Sequence, residues 1–206
     1  MPSGAKHRLA IFASGGGSNA DKICTYFKDH DRISINLILT NQIHAGVLHV
    51  AARHSIPSAL VPKAEWKSAD RVRSLLADHH ITHIVLAGFL LLIPDWLIRE
   101  YPHRIVNIHP ALLPRHGGKG MYGHHVHQSV KDAGDLITGI TIHEIDEHYD
   151  RGKILFQSEV PISPTDTPDE IGTKVLKVEH QFYAPVIEKW VTGNPIARSL
   201  SRPSDH

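Results

Sequence analysis

Five short apolar runs punctuate the first half of the chain, each followed by a polar or helix-periodic stretch. Leu9–Ala13 is continuously apolar and predicts a buried strand, leading into S-G-G-G-S-N and a helix from about Ala20 to Phe27. Ile33–Thr40 (I-S-I-N-L-I-L-T) predicts a second strand. Ala45–His54 carries an apolar helical face at Val47, Val50 and Ala51. Pro57 opens a third strand, Ser58–Val61, and a helix from Ser68 to about His79 follows, with Ser68 as its expected N-cap. His83–Leu86 and Arg104–His109 predict strands four and five, separated by a helix that has Pro94 in its first turn.

Beyond Pro110 the pattern changes. A Gly-rich stretch, R-H-G-G-K-G-M-Y-G-H-H, leads to a helix near Val126–Ala133. Two strands, Thr138–Ile145 and Lys153–Val160, are joined by D-E-H-Y-D-R-G, and a long helix spans about Pro168–Trp190. Strands this apolar, alternating with helices, predict an α/β fold: a mostly parallel twisted sheet with helices on both faces and an antiparallel strand in the C-terminal half. No repeat or linker divides the chain. One domain over 1–193 is expected, in halves of about 8–105 and 106–193, with a polar tail at 194–206 that frays.

Composition narrows the functional classes. Lys plus Arg number 22 and Asp plus Glu 21 in 206 residues, a net charge of +1. Such a balance gives no electrostatic footprint for nucleic acid or an anionic membrane. The start, M-P-S-G-A-K-H-R-L-A-I-F, reads neither as a signal peptide nor as a membrane span. A single cysteine, Cys24, forms no internal disulfide, so a cytoplasmic location is expected. The unusual count is 18 histidines. Those at His116, His124, His125 and His127 have no zinc-like spacing, and a solvated or loosely packed loop without metal is expected there.

In open parallel sheets, ligands bind beyond the carboxyl ends of the strands. The loops in that position are Ser14–Asn19, Thr40–Gln42, Gly88–Leu92 and Asn107–Pro114. S-G-G-G-S-N precedes a helix N-terminus, where glycines allow close approach and free amides favour an anion. Gly15, Gly17 and Ala20 also fit G-x-G-x-x-A, but the second strand ends Thr40-Asn41 without the acid that holds a dinucleotide ribose. A phosphate site is therefore expected rather than a dinucleotide site. Asn107 and His109 lie two apart on a strand and share a face, an amide and an imidazole suited to an oxyanion. Asp150, in the later acidic loop, would hold the imidazole protonated. Asp146 and Glu147 read as solvated charge.

Taken in order, S-G-G-G-S-N, T-N, V-L-A-G-F-L, N-I-H-P-A-L-L-P, T-G-I-T-I-H-E-I-D and D-R-G-K-I-L-F-Q resemble the 10-formyltetrahydrofolate-dependent formyltransferases. The likeness covers about residues 8–192. S-G-G-G-S-N favours the phosphoribosylglycinamide formyltransferases of purine synthesis over the methionyl-tRNA and sugar-amine branches, which usually carry a further C-terminal domain.

The resemblance implies a Rossmann-like formyltransferase fold with a phosphate-binding N-terminal half and a folate-binding, catalytic C-terminal half. Its substrates are glycinamide ribonucleotide and 10-formyltetrahydrofolate, the latter a co-substrate, with no metal, nucleic acid or membrane partner. Asn107, His109 and Asp150 are its implied catalytic residues, with His143 supporting. Gly16, Gly17, Ser18 and Asn19 would bind the substrate phosphate and Glu179 the ribose. Folate would meet Leu86, Leu91, Leu92 and Asn107, and the backbone of Glu144, Ile145, Asp146 and Asp150. Leu91 stands where many members have arginine. Gly117, Lys119 and His127 are loose candidates in the Gly-rich segment, which is either a lid or a surface linker. Two other readings stay open: a formyltetrahydrofolate deformylase, and a nucleotide-binding module without catalysis.

Overall fold

A computed structural model describes residues 7–146 and 152–196. Its strands are β1 (His7–Phe12), β2 (Ile33–Thr40), β3 (Ser58–Leu60), β4 (His83–Leu86), β5 (Ile105–His109), β6 (Ile137–Glu144) and β7 (Ile154–Pro161). The helices are α1 (Ser18–Phe27), α2 (Val47–Arg53), α3 (Asp70–Asp78), α4 (Asp95–Glu100), α5 (His124–Asp132) and α6 (Pro168–Thr192). The strands hydrogen-bond in the order β3-β2-β1-β4-β5-β6-β7. β1 is parallel to β2 and β4, β2 to β3, and β4 to β5, whereas β6 and β7 are antiparallel. This is the mostly parallel α/β sheet that the apolar runs predict.

The chain divides into two compact units, Met1–Asn107 and Ile108–His206. In the first, Leu9, Ala10, Ile11 and Phe12 are all fully buried, as are Ile38, Leu39, Ile84 and Val85 on the neighbouring strands. A strand buried on both faces must be apolar at every position, which is why these runs do not alternate. Each of these leucine, isoleucine, valine and phenylalanine side chains contributes roughly 1.5–3 kcal/mol of burial. The parallel register brings the ends of three strands level: Phe12 pairs with Leu86, and Leu86 with Asn107.

The second unit pairs β6 with β7 and carries α5 and α6. Two close backbone approaches exclude side chains: a Cβ at Gly139 would lie 2.1 Å from the Ser158 carbonyl oxygen, and one at Gly152 1.7 Å from that of Glu144. α6 starts with a capping box in which Thr167 and Glu170 satisfy each other's backbone amides, with Pro168 following.

The predicted cap of α3 differs. Ser68 does not cap α3; its hydroxyl donates to the Glu65 carbonyl (3.1 Å) and closes a short 3-10 helix, Lys63–Lys67. The N-cap of α3 is Ala69 at φ 63°, with no side-chain bond to the helix. A local serine-to-carbonyl bond outcompeted the capping bond.

Candidate active site

The loop after β1 is tied to two others. The Ser14 amide donates to the Gly88 carbonyl (3.0 Å), and its hydroxyl accepts the Leu90 amide (2.9 Å) while donating to Asn41 Oδ1 (2.5 Å). The Val47 amide donates to the Gly15 carbonyl (3.1 Å). One buried serine therefore joins the loops after β1, β2 and β4. Accepting at Oδ1 also fixes which way the Asn41 amide points.

Between these ties Gly15 and Gly16 are exposed, and a Cβ on either would meet nothing within 4 Å. Gly17 is different. It is the N-cap of α1 at φ 82°, and a Cβ there would lie 2.8 Å from Val47 Cα. Gly17 serves backbone packing, and Gly15 and Gly16 leave the open approach. No side chain caps α1 at Gly17, and the first-turn amides of a helix lack intrahelical acceptors, the arrangement that suits an anion.

Beside this loop stand the candidate apolar contacts. Leu86 is buried at the end of β4, Leu91 is half-buried, and Leu92 is exposed. Asn107, half-buried, pairs with Leu86. Two residues further along the same strand, His109 is 3% exposed, and its Nε2 lies 2.8 Å from the His116 carbonyl oxygen. A carbonyl only accepts, so Nε2 carries a hydrogen. A second ring N–H then exists only in the imidazolium form.

The segment after His109 is pinned by two residues the sequence reading passed over. Thr141, fully buried in β6, donates to the Ala111 carbonyl (2.7 Å) and accepts the Leu113 amide (2.9 Å). Gln157 on β7 donates to the Leu113 carbonyl (3.0 Å) and to the Thr141 hydroxyl (2.9 Å). Thr141 is a polar residue at a fully buried strand position, and such a group must have partners. Thr141→Val keeps the shape and leaves these loop groups unpaired. A loss of about 1–3 kcal/mol in chemical denaturation is expected.

His143 is fully buried, with Nδ1 donating to the Glu144 carbonyl (3.1 Å). The Glu144 amide donates to the Lys153 carbonyl (2.9 Å), and Glu144 Oε1 accepts from Trp190 Nε1 (3.2 Å). Ile145 and Asp146 are half-buried just past β6. Glu179 is buried in α6, and Tyr183, one turn on, has its hydroxyl pKa raised by burial and by the Glu179 charge. Asp150 and Glu147 lie outside the described residues.

The histidine-rich segment departs from expectation at two of its four rings. His116 and His127 are packed side chains rather than parts of a solvated loop. His116 Nδ1 lies 2.9 Å from Ser129 Oγ and Nε2 lies 2.8 Å from Asp135 Oδ2. His127 is buried beside Gly172, and burial, with the charges of His124 and His109, lowers its pKa. His124 and His125 are exposed, as are Lys119 and Gly120, and Gly117 is half-buried. The compact α5 side chains and the polar partners Ser129 and Asp135 draw two of the four rings inward.

In open, mostly parallel α/β sheets ligands bind beyond the carboxyl ends of the strands, where the glycine loop after β1 and Asn107 near the end of β5 both lie. Residues 7–187 match the formyl transferase family model, and the chain belongs to that family. It is 38% identical to the chloroplastic phosphoribosylglycinamide formyltransferase of Arabidopsis thaliana, over 98% of this chain and 74% of that protein. The Bacillus subtilis phosphoribosylglycinamide formyltransferase is 35% identical, over 88% of this chain and 93% of its own length. The crystal structure of glycinamide ribonucleotide transformylase 1 from Geobacillus kaustophilus superposes with a TM-score of 0.82 at 33% identity, covering 90% and 99% of the two chains. No helix among the described residues is long and apolar enough to cross a membrane.

Proposed function

We propose that this chain transfers a formyl group from 10-formyltetrahydrofolate to the primary amine of glycinamide ribonucleotide. The observation that carries the reading is the pairing of Asn107 and His109 on one face of β5, with Asn107 in register with Leu86 and Leu86 with Phe12. That register sets the amide level with the ends of β1 and β4, from which the anion loop and the apolar loop emerge.

The amine attacks the formyl carbon, and the carbonyl becomes an oxyanion on a tetrahedral centre. Asn107 Nδ2 and the protonated His109 ring donate to that oxygen. Collapse breaks the bond from the formyl carbon to folate N10, which takes a proton while the attacking nitrogen gives one up. Asp150 keeps His109 charged and relays protons through water, and His143 supports it. Gly16, Gly17, Ser18 and Asn19 take the phosphate and Glu179 the ribose. Leu86, Leu91, Leu92, Glu144, Ile145 and Asp146 receive the folate. No covalent enzyme intermediate is required, because the substrate amine is already a nucleophile. The sole cysteine fits this: burial pushes the Cys24 thiol up to about 12, an inert core group.

Tetrahydrofolate release by the purified protein, with and without glycinamide ribonucleotide, tests the reading. Release that depends on the ribonucleotide is expected. Release at an equal rate without it identifies a deformylase, and no release under either condition a non-catalytic binding module.

A further inference from the structure

We infer that His116 and Asp135 are positioning residues for His109, acting through the His116 main-chain carbonyl; the inference rests on the reading above in taking His109 as a donor at the reacting centre. The carbonyl of His116 is the acceptor for His109 Nε2, at 2.8 Å. That bond puts a hydrogen on Nε2, so where the oxygen sits bears on both the tautomer and the rotation of a ring that is 3% exposed.

The backbone that carries this oxygen is held by side chains. His116 adopts φ 54°, a left-handed conformation that costs energy in any residue with a Cβ. Its ring is bonded at both nitrogens, Nε2 to Asp135 Oδ2 (2.8 Å) and Nδ1 to Ser129 Oγ (2.9 Å). The second oxygen of Asp135 takes Arg115 at 2.9 Å. One carboxylate thus grips two consecutive loop residues, and the His116 and Arg115 bonds hold its pKa below the ordinary carboxylate value. Asp135 is itself fixed at the end of α5, where its amide donates to the Val130 carbonyl (3.4 Å). From α5 the ring of His127 also faces His109 electrostatically, with His124 and Asp169 acting on His127 in turn. A glycine at 116 would adopt this φ without strain, so the histidine is not there for backbone freedom; its ring supplies the two anchoring bonds.

A purely structural anchor and a positioning anchor predict different kinetics. Misorienting a donor raises the barrier of the chemical step and leaves ground-state binding nearly intact. For Asp135→Ala and His116→Asn, kcat for formyl transfer is expected to fall about ten- to a hundredfold, because small displacements of a reacting group are amplified in rate. KM for both substrates should stay within about twofold. Asp135→Glu, which keeps a carboxylate, should recover part of kcat. The ring 15N spectrum of His109 gives a readout independent of activity. The neutral ring should be protonated at Nε2 in the wild-type protein and become a mixture of tautomers in Asp135→Ala. Should Asp135→Ala fail to fold, Ser129→Ala removes a single bond to the His116 ring and the same measurements apply. A folded variant with unchanged kcat and an unchanged Nε2–H signal overturns the inference. If the wild-type protein transfers no formyl group, the proposed function fails, and the tautomer comparison alone decides the positioning role.

Discussion

Replacing His109 by alanine is expected to lower the turnover of formyl transfer by about a hundredfold or more, the usual cost of losing one preorganised oxyanion donor. The loss should fall on kcat, because the ground-state formyl group and amine need little from the ring. The structure adds a condition to this expectation. Nε2 is already engaged by the His116 carbonyl, so only the imidazolium has a second N–H to offer. The ring is almost wholly buried, so a stability loss must be separated from the catalytic one. Steady-state kinetics, together with a denaturation curve, make that separation. A folded His109→Ala protein with near-normal turnover would remove His109 from the mechanism.

What the sequence made legible follows from what each signal physically is. A strand buried on both faces is a continuous apolar run, so β1 stood out, while β2 stood out by its alternation from Ile33 to Leu37. Asn107 and His109 were visible because residues two apart on a strand share a face. The roles of Thr141, Gln157, His116 and Asp135 were hidden, because each depends on a partner distant in the chain. His116 and Asp135 are 19 residues apart, and Thr141 and Ala111 are 30 apart. Periodicity carries no information about such pairs. The misread Ser68 has the same origin on a smaller scale. A serine before a helix-periodic stretch has two local acceptor options, and only the backbone path decides between them.

The glycine loop gives the second large effect, and the structure redistributes it among neighbours that look alike in sequence. Sequence alone makes Gly17 the natural place to block a phosphate with a side chain. At Gly17, however, a Cβ would stand 2.8 Å from Val47 Cα and 2.9 Å from Val47 Cβ, on a residue at φ 82°. Val47 is fully buried at the start of α2, so it has little room to yield. Gly17→Val is therefore expected to destabilise the fold by about 2–4 kcal/mol, combining left-handed strain with overpacking. Both ligands would then be lost together, and the variant would say nothing about the phosphate. At Gly16 a Cβ meets nothing within 4 Å. Gly16→Val should leave the denaturation midpoint close to wild type while its side chain occupies the path an anion takes to the first-turn amides of α1. Ribonucleotide affinity should fall at least about tenfold, equivalent to losing roughly 1.4 kcal/mol of binding. Folate affinity should stay near the wild-type value. Calorimetric titration of both ligands against Gly16→Val measures this directly, and an unchanged ribonucleotide affinity in that folded variant would place the phosphate elsewhere.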